Sequence, residues 1–196
     1  MISDESIHVF ANRADGFCAL VDSALQMSPE SFLHEVHRRL PVLYASALAL
    51  PDVTTFVDDA KDHDESDAND VELDLGNSPR TRPEPELEST SEFMTRMRAL
   101  TTHLGPRARY REVFAPYSAE SETPVTGNLA DDILSIARDL RRGLLPWRRG
   151  EIDVAAWRWQ LHFGTHWGEH ATGALRALHA LAFDHDLGPP PRREDA

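Results

Sequence analysis

The C-terminal part of the sequence contains three histidines at intervals of four residues, in the stretch HFGTHWGEHATGALRALH. His162, His166 and His170 would lie along one stripe of a helix, because residues four apart are neighbours on a helix surface. On a helical wheel, His166 and His170 fall on the buried side next to Trp159. His162 falls at the solvent edge. This stripe is the first candidate for chemistry, since histidines one turn apart can bind a metal ion or transfer protons.

Two aspartates are spaced so that they could face these histidines. In the helix predicted over residues 129–144, Asp132 and Asp139 are seven residues apart and lie at the border of the apolar stripe. Asp131 and Ser135 are predicted to point to solvent. The connection to the last helix is short, which favours antiparallel packing of the two helices. The candidate site consists of Asp132, Asp139, Trp159, His166 and His170, with Tyr44 or Tyr110 as a further wall.

The candidate site has two interpretations. In the first, a divalent transition metal is the cofactor, and its ligands are His166, His170, Asp132 and Asp139. This requires the four side chains to converge within about 2.0–2.2 Å of one point. In the second, the histidines donate to the aspartates or to backbone carbonyls and fix the helix register, since buried polar groups need hydrogen bonds. The sequence lacks the zincin pattern that would favour the first interpretation, because Trp167 follows His166 where that pattern has glutamate.

Other catalytic patterns are absent from the sequence. There is no Gly-rich phosphate loop and no nucleophile elbow, and Ser135 lies on the side predicted to be exposed. Cys18 stands among apolar neighbours and is predicted to be a small buried hydrophobe. The segment DHDESDAND is no calcium loop, because Asp67 stands where the loop needs glycine and Leu73 where it needs glutamate. We assign no catalytic residue and lean against an enzyme.

Composition limits the location and the class of partner. The chain has 196 residues, enough for one domain with one sizeable core, and a net charge of −13. Such acidity argues against a nucleic-acid partner. No apolar run is long enough for a transmembrane helix, and the acidic N-terminus does not resemble a signal peptide. We expect a cytoplasmic protein with no membrane partner, and the single cysteine excludes an internal disulfide.

Apolar periodicity predicts an all-α, single-domain bundle of five or six helices over residues 1–196. No segment alternates as a strand with hairpin turn signals. The stretch 108–117 is predicted to be a short helix or an irregular aromatic cover. Residues 52–90, acidic and proline-rich, are expected to form a mobile insertion, and residues 187–196 a disordered tail. The predicted helices span about 4–26, 28–50 with a kink or new start at Pro41, 91–105, 128–146 and 153–183.

Several stretches resemble a family of bacterial helical proteins, domain-of-unknown-function family 5063. They are FCALVD, LPVLYASALALP, YREVFAPY, NLADDILSIARDLRRGL and HWGEHATGALRALH, and they cover most of the chain apart from the insertion and the tail. The resemblance implies a small all-helical cytoplasmic protein and supplies no activity or cofactor. It also implies that Asp132, Asp139, His166 and His170 are shared features of the family.

These observations predict a non-enzymatic binding or protein-interaction module. Its partner would be another protein or a second copy of the chain, bound through a groove between helices or through an arginine-rich helix end. That end carries Arg141, Arg142, Arg148 and Arg149. The alternative is a metal-binding bundle, and with it a metal-dependent hydrolase, that uses the His/Asp cluster.

Overall fold

The computed structural model describes residues 4–50, 88–112 and 124–183. Most of the predicted insertion and the whole predicted tail lie outside these residues. The last three residues of the insertion are described, and they start a helix. The Ser89 hydroxyl accepts from Glu92 N at 3.3 Å, and the Glu92 carboxylate accepts from Ser89 N at 2.8 Å. This capping box satisfies two N–H groups that the start of a helix leaves unpaired.

The described residues form six α-helices and one two-stranded β ribbon. The predicted all-α bundle is therefore confirmed, with the number of helices expected, counted over these residues. Short 3-10 turns follow the first and third helices. The helices are α1 (Asp4–Asp22), α2 (Pro29–Leu48), α3 (Thr90–Leu104), α4 (Leu129–Trp147), α5 (Ile152–His162) and α6 (Gly168–Phe183), and the strands are β1 (Arg109–Glu112) and β2 (Val125–Asn128).

Helix α4 lies at the centre of the bundle and packs against α1, α3, α5 and α6. Asn128, the predicted cap, directly precedes it, and its side chain accepts from Ala130 N at 3.0 Å. Neighbouring helices cover α4 on more than one side, so its buried arc is wider than its apolar stripe. The prediction that Ser135 faces solvent is therefore wrong: only 3% of its surface is exposed. Its position, three residues after Asp132 and four before Asp139, puts it on the same side as both aspartates.

The last predicted helix, 153–183, is interrupted by a π-helical turn at Phe163–Trp167, between α5 and α6. A side chain at Gly168 would overlap the Phe163 carbonyl, so glycine is what lets the chain form this turn. A π turn holds more residues than an α-helical turn. The stripe predicted through the three histidines is therefore not continuous between His162 and His166.

Strands β1 and β2 pair in antiparallel register, with Tyr110 opposite Gly127. This corrects the expectation of a helix or irregular cover for residues 109–112, while residues 113–117 lie outside the described residues. The strands carry tyrosine, valine and threonine, which favour extended backbone. Gly127 leaves room for the aromatic ring, since a Cβ there would lie 2.5 Å from Tyr110 Cζ. The sequence did not predict this pairing because each strand has only four residues and the two strands are 12 residues apart in the chain, too far for a two-residue hairpin turn.

The core is apolar, and two tryptophans are fully buried in it, Trp159 and Trp167. The Trp159 indole packs on Phe10, with ring centroids 5.0 Å apart, and its Nε1 donates to Leu140 O at 2.9 Å. None of the helices in the described ranges has the length and apolar character needed to cross a bilayer. The cytoplasmic location stays a prediction.

Gly143 on α4 lies directly against the Trp159 indole, and a Cβ at this position would overlap the ring. We expect Gly143→Ala to lower the free energy of unfolding by about 1–3 kcal/mol, because the methyl group must displace a buried indole. Urea denaturation measures this change. Gly16→Ala in α1 is the matched control: open space surrounds Gly16, so this variant should be at least as stable as the wild type. Equal stability of the two variants would contradict the close packing.

Candidate functional site

Two aspartate–histidine pairs connect α4 to the π turn and α6. In the first pair, His166 Nδ1 lies 2.6 Å from Asp139 Oδ2. The other carboxylate oxygen, Oδ1, accepts from Arg142 Nη1 at 2.9 Å. The Asp139 side chain is completely buried, whereas the His166 side chain is 39% exposed. Because a buried carboxylate needs partners for both oxygens, Asp139 holds the imidazole and the guanidinium in fixed positions.

The second pair brings the β ribbon into the site. His170 Nδ1 lies 2.8 Å from Asp132 Oδ1. The Tyr110 hydroxyl on β1 donates to Asp132 Oδ2 at 2.8 Å. The side chain of Asp132 is 8% exposed and that of His170 is 22% exposed. This histidine is therefore less accessible than His166, and its carboxylate partner is bonded from two other elements.

Helix geometry explains why the pairs form in this order. Asp132 and Asp139 are two turns apart on α4, and His166 and His170 are one turn apart where α6 begins. In an antiparallel arrangement, the later aspartate must meet the earlier histidine. Each carboxylate thus pairs with one imidazole. This agrees with the expectation from the sequence that the two aspartates could face the two histidines.

Charge around the second pair favours the imidazolium form of His170. Burial lowers the pKa of His170, but its hydrogen bond to Asp132 and the nearby aspartate charges outweigh burial and raise the pKa. Burial raises the pKa of the Asp132 carboxyl, and the hydrogen bonds from His170 and Tyr110 oppose that shift. Burial, followed by the charges of Asp132 and Glu112, raises the pKa of the Tyr110 hydroxyl, which therefore stays a donor.

The two ring nitrogens of each histidine have different roles. Each Nδ1 faces a carboxylate, so each Nδ1 carries the proton and donates it. The Nε2 atoms of His166 and His170 have no hydrogen-bond partner among the residues that the structure describes. The two rings are adjacent, with centroids 4.8 Å apart and planes at 76°. A ligand would therefore meet two neighbouring imidazoles, and the Nε2 of each can bind a metal ion or exchange a proton.

The four side chains meet as two pairs and do not surround one point. Each of the four carboxylate oxygens accepts a hydrogen bond from a protein donor. Within residues 4–50, 88–112 and 124–183, no group of three or more His, Cys, Asp or Glu side chains could hold a metal ion. The aspartates thus orient the histidines, and the imidazole nitrogens are the atoms that remain for a ligand.

The three predicted aromatic walls have different positions. Trp159 belongs to the core, where its Nε1 donates to Leu140 O and so supports α4 directly after Asp139. Tyr44 packs edge-on against Phe163 of the π turn, with ring centroids 5.0 Å apart. Only Tyr110 bonds to one of the four Asp and His side chains.

Sequence reasoning missed four residues of the site. Arg142 could have been found from its spacing, three residues after Asp139, which places them side by side on a helix. The other three, Glu112, Gly173 and Arg176, lie on or against the β ribbon, which the sequence did not predict. Arg176 of α6 forms an ion pair with Glu112 of β1, and Gly173 lies between them and Tyr110.

The single cysteine has the buried environment predicted for it. The Cys18 thiol donates to Ala137 O at 3.6 Å, and 5% of the residue is exposed. Burial raises the pKa of this thiol to about 12, and the neighbouring Arg141 opposes that shift. A thiol with this pKa stays protonated at neutral pH and is a poor nucleophile.

Stability should depend on pH through His170. Folding raises the pKa of His170, so its contribution to stability is complete below the unfolded value of 6.5 and is lost as the pH rises through the folded pKa. We expect the urea midpoint of the metal-free wild type to fall between about pH 6 and about pH 9, relative to His170→Asn. Asparagine keeps a donor near the position of Nδ1 but does not titrate. Parallel pH profiles of the two proteins would contradict this assignment.

Comparison with known proteins gives a family and a fold. The chain resembles the crystal structure of protein BF1032 from Bacteroides fragilis, with a TM-score of 0.68 and 19% sequence identity. That alignment covers 94% of this chain and 97% of the other. No curated protein matches the chain significantly. Residues 1–184 match the family described as Domain of unknown function (DUF5063), and the chain belongs to that family.

Proposed function

We propose that this protein binds a divalent transition-metal ion through the Nε2 atoms of His166 and His170. Metal-binding histidines almost always donate their other ring N–H to a carboxylate or carbonyl, which fixes the tautomer and the ring orientation. Both histidines have this arrangement, with Asp139 and Asp132 as the acceptors. The aspartates then act as orienting partners of the ligands, which differs from the four-ligand site expected from the sequence.

The spacing of the two rings is the observation that supports a shared ion. An ion about 2.1 Å from Nε2, on the line from the ring centroid, lies about 3.2 Å from that centroid. Two centroids 4.8 Å apart would then subtend about 97° at the ion. This angle lies between those of octahedral and tetrahedral coordination. One ion can bind both imidazoles at this ring separation, provided that both Nε2 atoms are directed at it.

The two imidazole ligands indicate which metal ions the site would bind and which class of reaction it would support. Imidazole nitrogens suit zinc, nickel, copper and iron, and are poor ligands for calcium and magnesium. Two protein ligands leave coordination positions for water or for a substrate. An open position is what separates catalytic metal sites from structural ones, so the class of enzyme that this site would support is a metal-dependent hydrolase.

Isothermal titration of zinc and nickel chloride into chelator-treated protein tests the proposal. The wild type should bind one ion per chain, and the double variant His166→Ala/His170→Ala should bind more than about 100-fold more weakly, since it lacks both ligand nitrogens. Elemental analysis of untagged protein purified without chelator should find the same ion in the wild type and none in the variant.

His179→Ala is the matched control because it removes an exposed histidine from the same helix. His179 has a histidine neighbour, His37, with ring centroids 6.0 Å apart. An ion about 3.2 Å from both of these centroids would see them at an angle of about 140°, which is too wide for two ligands of a tetrahedral ion. The control should bind metal like the wild type. Absence of binding by the wild type, or equal binding by the double variant, would overturn the proposal.

A second candidate function is a non-enzymatic interaction module, and an apolar groove between α1 and α2 favours it. The groove has a volume of about 600 Å³ and includes Val9 and Val42, which are 38% and 48% exposed. The arginine-rich helix end is a weaker candidate, because three of its arginines form ion pairs within the chain. These pairs are Arg141–Asp22, Arg142–Asp139 and Arg148–Asp15.

Self-association through the groove predicts a concentration-dependent dimer in analytical ultracentrifugation. Val42→Lys should abolish the dimer, because burying an unpaired ammonium group in an apolar interface is unfavourable. Val125→Lys is the matched control, since Val125 is also exposed but lies on β2. A wild type that stays monomeric at high concentration would exclude this form of association.

A further inference from the structure

The two histidines are anchored in different ways, although each has one aspartate. For the first, Arg142 occupies the second oxygen of Asp139, and both residues belong to α4. For the second, the residue on the remaining oxygen of Asp132 is Tyr110, which comes from β1. The hydrogen bonds that orient His166 thus come from α4 alone, whereas those that orient His170 also involve a strand that is distant in the sequence.

Strand β1 is itself tied to α6 beside the second pair. Arg176 of α6 forms an ion pair with Glu112 of β1, and Glu112 is buried. The Glu112 carboxylate also contacts the Tyr110 hydroxyl. Residues two apart on a strand share a face, so Tyr110 and Glu112 both approach α6 from the same side. The contacts therefore close a ring that runs from α6 through β1 and α4 back to His170.

Gly173 is the residue that makes room for this ring of contacts. A Cβ at position 173 would lie 2.6 Å from Glu112 Oε2 and 2.7 Å from the Tyr110 hydroxyl oxygen. Both distances are shorter than real Cβ contacts. Any side chain at position 173 would therefore displace the Tyr110 hydroxyl and the Glu112 carboxylate from their positions beside Asp132 and α6.

We propose that Tyr110 is a positioning residue for the metal ligand His170, an inference that rests on the proposed metal site. Its hydroxyl fixes Asp132 Oδ2 and so prevents the carboxylate from turning about its Cβ–Cγ bond. Oδ1 then stays directed at His170 Nδ1, and Nε2 stays available to the ion. Loss of such an outer partner weakens metal binding by about 10- to 100-fold in other proteins, although it touches no metal.

The test compares two tyrosines that lose the same atom. Zinc titration of Tyr110→Phe should give a dissociation constant about 10- to 100-fold above that of the wild type. Tyr44→Phe should bind like the wild type, because the structure gives the Tyr44 hydroxyl no role at Asp132. Urea denaturation of both variants verifies that they are folded. Equal zinc affinities of Tyr110→Phe and the wild type would overturn the inference and leave the proposed metal site intact.

A second measurement on metal-free protein separates this inference from the metal site itself. Nitrogen-15 NMR of the wild type should show His170 with its nitrogen-bound proton at Nδ1 above its titration range, because Asp132 accepts it. Tyr110→Phe should show a mixture of the two tautomers. If the wild type binds no zinc, the proposed function fails, and the tautomers alone decide whether Tyr110 positions His170. An unchanged tautomer in Tyr110→Phe would overturn that role.

Gly173→Ala tests the same inference without altering any hydrogen-bonding group. Its methyl group should displace Tyr110 and Glu112 and weaken zinc binding by the same 10- to 100-fold as Tyr110→Phe, to within about a factor of three. Gly16→Ala controls for the general effect of alanine in a helix. Wild-type zinc affinity in a folded Gly173→Ala protein would contradict the ring of contacts.

Discussion

Burial of the Asp139 carboxylate is the constraint on which the packing of the last helices depends. Its side chain has no exposed surface, and its two oxygens take their partners from different elements, Arg142 from α4 and His166 from the π turn. Sliding α6 along α4 by one turn would leave this buried charge without one partner, which is strongly destabilising. The helix register therefore follows from this carboxylate, and with it the meeting of His170 and Asp132.

Anchoring through Nδ1 also prepares the site before any ligand arrives. An imidazole on the protein surface samples several rotamers, and binding must then restrict it at an entropic cost. Here the carboxylates have already restricted both rings, so a ligand that contacts the Nε2 atoms has little side-chain freedom to remove. Helix α4 supplies both aspartates, and the π turn and α6 supply the histidines, which keeps the ring-to-ring distance constant more effectively than loops would.

The sequence predicted the part of the site that depends on helix geometry alone. A spacing of seven residues puts Asp132 and Asp139 on one side of α4, and a spacing of four puts His166 and His170 on one side of their segment. A helical wheel does not show which atoms form bonds. The sequence therefore left open whether the aspartates are metal ligands or hydrogen-bond partners of the histidines. A helical wheel also ignores how many neighbours cover a helix, which is why Ser135 was misplaced. Tyr110 reaches the site through the pairing of two strands that are distant in the sequence. The apolar periodicity of a single segment does not indicate such a contact.

The π turn at Phe163–Trp167 has an evolutionary consequence, because it differs from an α-helix by one inserted residue. Deleting one residue within it would restore a continuous helix, and the residues after it would keep their faces, because a π turn takes up one extra residue without changing the phase of the helices on either side. His170 would still meet Asp132 on α4, although the chain would be one residue shorter. A one-codon insertion in an ancestral helix is thus sufficient to create the π turn while the contacts of α5 and α6 with α4 stay in place.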